Sequence, residues 1–80
     1  MQTEKIINGP AADELLNLML SNLPVTFSTL NGSVEILIEQ LREAGGNRLW
    51  FFGQVSAGKR KGMSASGYYH CSSKTGYLDD

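Results

Sequence analysis

Apolar residues recur at helical spacing near the start of the chain. Positions three and four apart share a helix face, and one such face would hold Leu15, Leu16, Met19, Leu20 and Leu23. A turn signal at residues 8–10 precedes this stripe, and a proline fits a first helical turn because its missing N–H is not needed there. The pattern predicts a helix that begins near Pro10 and ends before Pro24.

A second helical pattern covers residues 33–44. The apolar positions stand at i, i+3, i+4 and i+7, which is the template of an amphipathic helix, and they are Val34, Leu37, Ile38 and Leu41. Ser33 is a suitable N-cap, and the glycines at 45–46 supply a stop. Asn31-Gly32 is a strong hairpin signal between alternating strands, but the helical spacing that follows argues against a hairpin here.

The second half of the chain has the pattern of a β-hairpin. Residues 48–55 and 63–70 are rich in aromatic residues, which favour the pleated, half-buried surface of a sheet. Between them, glycines flank three adjacent cations, Lys59, Arg60 and Lys61. Glycines mark a loop rather than a strand interior, so the sequence predicts a hairpin with three positive charges at its tip.

The first strand of this hairpin is apolar on both faces. Successive side chains of a strand point to opposite sides, so Trp50 and Phe52 lie on the face opposite Leu49 and Phe51. One face must cover the helices. The other is either covered by the N-terminal residues or forms a partner or homodimer surface. Ile36, beside two glutamates and off its helical stripe, is a further candidate for such a surface, or is buried by the first helix.

The remaining segments are short, and eighty residues make a single domain. We expect a tail or edge strand over residues 1–9, a helical part over 10–46, the hairpin over 47–71 and a C-terminal tail over 72–80. Residues 25–30 fit either a strand or a short helix. The expected fold class is α+β, with two to three helices followed by an antiparallel hairpin.

Charge is divided along the chain, although the formal net charge is only −1. Residues 1–46 hold six acidic and two basic residues, whereas residues 47–78 hold five basic residues and none that is acidic. Such asymmetry is typical of a nucleic-acid or membrane contact, and also of turns kept soluble by lysines. No apolar run reaches the roughly 18 residues of a membrane span, and the single cysteine favours a cytoplasmic location.

The sequence offers little catalytic or metal-binding chemistry. His70 and Cys71 are the only histidine and cysteine, so one chain cannot supply the four ligands of a closed zinc site. As neighbours they would point to opposite faces of a strand, and no acid is placed to orient the histidine as a base. We expect no enzyme activity, no catalytic residue, no metal and no cofactor.

The order of elements resembles a winged helix-turn-helix domain over about residues 11–70. Residues 33–45 resemble the third helix of that family, which often closes with a leucine, an Arg-Glu pair and then Ala-Gly. The resemblance implies that residues 26–30 form the second helix and residues 48–70 the wing. It also implies DNA binding, with the third helix in the major groove and the wing on the flanking backbone or minor groove.

The first functional hypothesis is therefore a small DNA-binding protein, such as a transcription regulator. Its phosphate contacts would come from Lys59, Arg60 and Lys61 at the tip, together with Arg48 and Ser33. The alternative is a small interaction module that binds and inhibits, or adapts, a larger protein. Stacking of unpaired bases is a further possibility, and the aromatic residues near the basic tip are Trp50, Phe52, Tyr68 and Tyr69.

Overall fold

The computed structural model describes residues 5–30 and 32–79, and this part of the chain forms a closed antiparallel barrel. One helix, α1 (Ala12–Leu20), accompanies six strands: β1 (Lys5–Asn8), β2 (Val25–Thr29), β3 (Gly32–Gly45), β4 (Arg48–Val55), β5 (Ser64–His70) and β6 (Thr75–Asp79). Each strand pairs with the next in sequence, and β1 also pairs with β6. The last pairing closes the barrel.

The winged-helix resemblance and the α+β fold that it implied are wrong, because residues 33–44 form a strand rather than a helix. Val34, Ile36 and Ile38 face the barrel interior at alternate positions. A register shift between Ile38 and Gln40 then inserts one extra residue, so that Leu41 returns to the inner face. Because of this β-bulge, the inward residues Val34, Ile38 and Leu41 stand at i, i+4 and i+7, which is also the spacing of one face of a helix.

Both glycine signals beside this strand belong to hairpin turns. Gly46 and Asn47 have φ angles of 60° and 61° and connect β3 to β4 as a two-residue turn, whose backbone twist suits a hairpin. The predicted helix stop at 45–46 is therefore wrong. β2 pairs with β3 up to Thr29↔Gly32, so the hairpin that Asn31-Gly32 signals is present, although residue 31 itself lies outside the described residues.

The first predicted helix exists as α1. Residues 25–29 form a strand, which is one of the two alternatives for residues 25–30 and differs from the second helix that the winged-helix resemblance implied. The predicted C-terminal tail contains β6. β1 has a partner on each side, so it is not an edge strand. Leu15 of α1 is buried, while Leu18 and Met19 pack against the same core. The helix thus covers apolar interior that the strands leave open.

Three aromatic rings from three strands form the centre of the core. The ring centroid of Phe27 lies 5.6 Å from that of Phe51 and 5.7 Å from that of Tyr69. The aliphatic residues around them include Ile36, which is 0% exposed. Ile36 was expected to be part of a partner surface, and that prediction is wrong because its position on β3 points into the barrel.

Glycines on the inner face let neighbouring strands approach closely. A Cβ at Gly67 would clash with the carbonyl oxygen of Tyr77, and one at Gly76 would clash with that of Tyr68. Only a residue without a side chain fits where two backbones come so near. The backbones of β5 and β6 therefore lie close together at Gly67 and Gly76, while Tyr69 and Leu78 supply the large buried side chains of these two strands. Among the described residues, no helix is long and apolar enough to cross a membrane.

Candidate functional site: an aromatic and arginine face

The outward positions of β3 to β6 form one row of large side chains. On β4, Phe51 is buried inside the barrel, so Trp50 before it points outward. The strand register places Arg42 of β3 beside Trp50, then Tyr68 of β5, then Tyr77 of β6. Directly opposed side chains on one sheet face are close enough to contact one another. Four consecutive strands therefore contribute to a single surface row.

Neighbouring outward positions widen this row into a patch. Phe52 follows Trp50 on the same face of β4, and Arg48 lies opposite His70 of β5. We call the whole patch the outer aromatic face, and its members are Arg42, Arg48, Trp50, Phe52, Tyr68, His70 and Tyr77. Tyr68 and Tyr77 are 39% and 41% exposed, whereas Trp50, Phe52 and His70 are half-buried.

The rings of this face are packed on one another and on the two arginines. Trp50 and Phe52 stack with centroids 6.2 Å apart and planes 10° from parallel. The guanidinium carbon of Arg42 lies 5.9 Å from the Trp50 ring centroid. Ring faces attract cations at such distances, by about 0.5–1 kcal/mol for exposed pairs. Two side chains of the same molecule, Phe52 and Arg42, therefore already contact the Trp50 ring.

Arg48 is positioned by the turn that precedes it. Its Nε and Nη2 donate hydrogen bonds of 3.3 and 3.4 Å to the carbonyl oxygens of Gly45 and Ala44. Its guanidinium carbon lies 5.4 Å from the Tyr68 ring centroid. A guanidinium carries five N–H donors, so these two bonds leave donors for a carboxylate on a partner.

Tyr69 differs from its predicted role, and Tyr77 has a role that was not predicted. Tyr69, a candidate for base stacking, is fully buried in the core and cannot stack on a ligand. Tyr77 belongs to the outer aromatic face, and its edge packs against His70 with centroids 5.9 Å apart. Sequence reasoning missed this role of Tyr77. The alternation of Gly76, Tyr77 and Leu78 on a strand places Tyr77 on the face opposite its two neighbours, but only the pairing of β5 with β6 places it beside Tyr68.

The predicted phosphate-binding residues do not form one site. Lys59, Arg60 and Lys61 are exposed on the loop between β4 and β5, and Ser33 lines a cleft beside that loop. Arg48 stands at the other end of β4, about 23 Å away at the usual rise of a strand. Because β3 is a strand, Ser33 does not cap a helix. The structure therefore brings four of the five residues to one end of the barrel.

The loop that carries the cations is closed by backbone hydrogen bonds at its base, and the Lys61 N–H donates to the Gly58 carbonyl oxygen across its tip at 3.3 Å. The N–H of Gly62 donates to the carbonyl oxygen of Val55 at 2.7 Å, and that of Val55 donates to Met63 at 2.9 Å. Gly58 and Gly62 have φ angles of 88° and 92°, which side chains rarely permit. The basic tripeptide thus lies between two fixed glycine bends.

A cleft of about 610 Å³ lies between this loop and the β2–β3 hairpin. Its lining includes Lys59, Arg60 and Glu35. The hydroxyl of Ser56 donates a 3.3 Å hydrogen bond to Glu35 Oε1. Cations, hydroxyls and apolar side chains therefore meet in one concave surface at the end of the barrel opposite Arg48.

The described residues form no cluster of three or more histidine, cysteine, aspartate or glutamate side chains that would hold a metal ion. Comparisons with protein-family models, curated proteins and solved structures give no match. The fold and its surface thus define the protein as a small six-stranded antiparallel barrel with an outer aromatic face.

Proposed function

We propose that this protein is a small interaction module that binds a larger protein through the outer aromatic face. The observation that carries the proposal is the packing of five aromatic rings, one of them the His70 imidazole, with two arginines on one side of the barrel. Tryptophan, tyrosine and arginine are the residues most enriched among the energetic centres of protein interfaces. Such a module acts on its partner by covering a surface, and so inhibits or adapts it.

The internal packing of the face favours a protein partner over a single-stranded nucleic acid. Base stacking requires an open ring face, and the Trp50 ring already contacts Phe52 and Arg42 while the Tyr68 ring contacts Arg48. Packed side chains lose little conformational freedom when a partner docks. The face is therefore pre-organised for a rigid, complementary surface.

The two arginines define the chemistry of the partner. Arg42 and Arg48 are both exposed on this face, and a guanidinium binds a carboxylate through two parallel hydrogen bonds. We therefore assign a partner that presents aspartate or glutamate beside an apolar patch. The single cysteine of the chain fits a reducing compartment, and we place this interaction in the cytoplasm.

Affinity capture with paired variants tests the proposal. The protein is immobilised, and a nuclease-treated lysate of the cells that encode it is passed over Trp50→Ala, Leu30→Ser and the unchanged chain. Leu30 is 97% exposed and lies away from the face, so Leu30→Ser controls for general stickiness. We expect one protein to be retained by the unchanged chain and by Leu30→Ser but lost with Trp50→Ala. Equal retention by all three, or retention of no protein by the unchanged chain from the nuclease-treated lysate, contradicts the proposal.

A second candidate function is DNA binding through the loop between β4 and β5. The observation that favours it is the exposure of three adjacent cations, Lys59, Arg60 and Lys61, between two glycines. Each phosphate neutralised on duplex DNA contributes about 0.9 to the slope of log affinity against log salt. Replacing all three cations with alanine should flatten that slope by up to about three units.

Fluorescence anisotropy of labelled duplex DNA across a salt series measures this slope. Arg48→Ala is the matched control, because Arg48 lies at the far end of β4 from the loop. Loss of slope in the triple variant alone supports DNA contact by the loop. An unchanged slope in the triple variant, or an equal change with Arg48→Ala, excludes it.

A further inference from the structure

We propose that the cleft beside the basic loop binds a small amphipathic anion, a molecule with an apolar body and one carboxylate or phosphate group. This function is independent of the outer aromatic face. Ligand sites typically occupy 300–1,000 Å³ and combine an apolar lining with a few convergent polar groups. The cleft of about 610 Å³ meets both conditions.

The apolar part of the cleft comes from the barrel interior. Ala65, Val55 and Leu78 are buried residues of the core cluster, and all three also line the cleft. Met63 at the mouth is 55% exposed and lines the same space. A flexible methionine adapts its shape to an apolar ligand. The cleft therefore leads from the exposed loop to the end of the hydrophobic core.

The polar part of the cleft favours a negative charge. Lys59 and Arg60 are lining residues that belong to the basic loop. Hydroxyl groups of Thr26, Thr29 and Ser33 lie on the β2–β3 side, where they can donate to anionic oxygens. An anionic group held between the loop and these hydroxyls would leave its apolar body over the buried residues.

Within the described part of the chain, Glu35 is the one carboxylate in the lining, and it opposes an anion. The Ser56 hydroxyl, 3.3 Å away, donates to one of its oxygens, and two lining cations outnumber it. Repulsion between like charges in a partly enclosed site weakens binding. Removal of the Glu35 charge should therefore tighten anion binding, which separates this site from a purely apolar pocket.

The experiment is a titration followed by heteronuclear NMR, with sodium decanoate, decyl phosphate and 1-decanol as probes below their aggregation limits. We expect at least one anionic probe to shift the amide signals of Ala65 and Leu78 and to bind at least about ten-fold tighter than decanol, because hydrogen bonds to charged groups are strong. The decanoate and decyl phosphate arms distinguish a carboxylate ligand from a phosphate ligand.

Lys59→Ala and Lys61→Ala are matched variants, since both residues are exposed loop lysines but only Lys59 lines the cleft. Lys59→Ala should weaken binding about ten-fold, whereas Lys61→Ala should change it less than two-fold. Glu35→Gln should strengthen it several-fold. Ala57→Phe, a change at an exposed lining residue, should block binding.

The proposal is overturned by any of three results. The first is that neither anionic probe shifts the Ala65 and Leu78 signals, and the second is that decanol binds as tightly as the anions. The third is that Lys59→Ala and Lys61→Ala weaken binding equally. Retention of the fold in each variant is read from the same spectra. The variants lie outside the outer aromatic face. A negative result for the cleft therefore does not bear on the protein-binding proposal, which affinity capture tests separately.

Discussion

The phenolic oxygen of Tyr69 donates a 2.7 Å hydrogen bond to the carbonyl oxygen of Pro10, which is 59 residues away in sequence. Pro10 lies just before α1, and Tyr69 lies on β5, so the bond fastens the start of the helix to the barrel. Gly9 allows this contact, because a Cβ there would lie 2.8 Å from a ring carbon of Phe27 and 3.3 Å from the Tyr69 hydroxyl. Tyr69, a residue of β5 whose ring packs in the core, therefore links the start of α1 to the barrel.

Tyr69→Phe should lower the free energy of unfolding by about 1 kcal/mol, since a typical buried hydrogen bond contributes that much. Urea denaturation measures the change. Tyr68→Phe is the control, because Tyr68 is exposed on the outer surface and should change stability by less than about 0.5 kcal/mol. Equal effects of the two substitutions would show that the Pro10 contact does not stabilise the fold.

Stability should fall above pH 10. Burial raises the pKa of the Tyr69 hydroxyl above its ordinary value near 10; a backbone hydrogen bond at Gly9 opposes this shift, and Cys71 adds to it. The folded state therefore keeps its proton at pH values where the unfolded chain loses it. The contribution is fully present below pH 10 and is lost as pH rises through the folded pKa. Urea midpoints between pH 8 and pH 11 should decline less steeply in Tyr69→Phe than in the unchanged chain.

Substitutions at two adjacent positions of β3 distinguish the observed strand from a helix. Ile36→Ala should destabilise the protein by about 2–4 kcal/mol, because it leaves a cavity in the core. Leu37→Ala, at a half-buried outward position, should cost roughly 1 kcal/mol or less. A helix over residues 33–44 predicts the reverse order, since Leu37 lies on its apolar stripe. Chemical denaturation of the two variants decides between them.

Arg42→Ala should change the environment of Trp50, which is the only tryptophan in the chain. The Arg42 guanidinium lies over the indole ring, so its removal exposes that ring to water. We expect the emission maximum to move to longer wavelength and quenching by acrylamide to increase. Arg48→Ala is the control, because Arg48 lies over Tyr68 instead. Unchanged emission in Arg42→Ala would contradict the packing of this face.

The sequence predicted the local pairing in the second half of the chain better than the architecture. The aromatic runs at 48–55 and 63–70 are β4 and β5, which pair from Arg48↔His70 to Gln54↔Ser64. Their alternation is regular, so the period alone placed Trp50 and Phe52 together on the face opposite Phe51. The sequence alone therefore predicted that these two members of the outer aromatic face lie side by side.

The barrel could not be predicted from the sequence for two reasons, which are one extra residue in β3 and the short length of two strands. The bulge between Ile38 and Gln40 gave β3 a helical spacing. β1 and β6 have only four and five residues, too few to show a clear period. Their pairing joins residues near the two ends of the described chain. Such long-range pairing leaves no local pattern, and so Tyr77 could not be assigned to the same face as Trp50.

The central claim is that a protein partner docks on the outer aromatic face, and site-specific photo-crosslinking tests it most directly. Tyr68 is replaced with p-benzoylphenylalanine in one sample and Leu30 in a second, and each is irradiated in a nuclease-treated lysate of the native cells. We predict one discrete protein adduct from position 68, absent at position 30 and lost when Trp50→Ala is added. Identical adducts from both positions, or an adduct from position 68 that persists with Trp50→Ala, would contradict the claim.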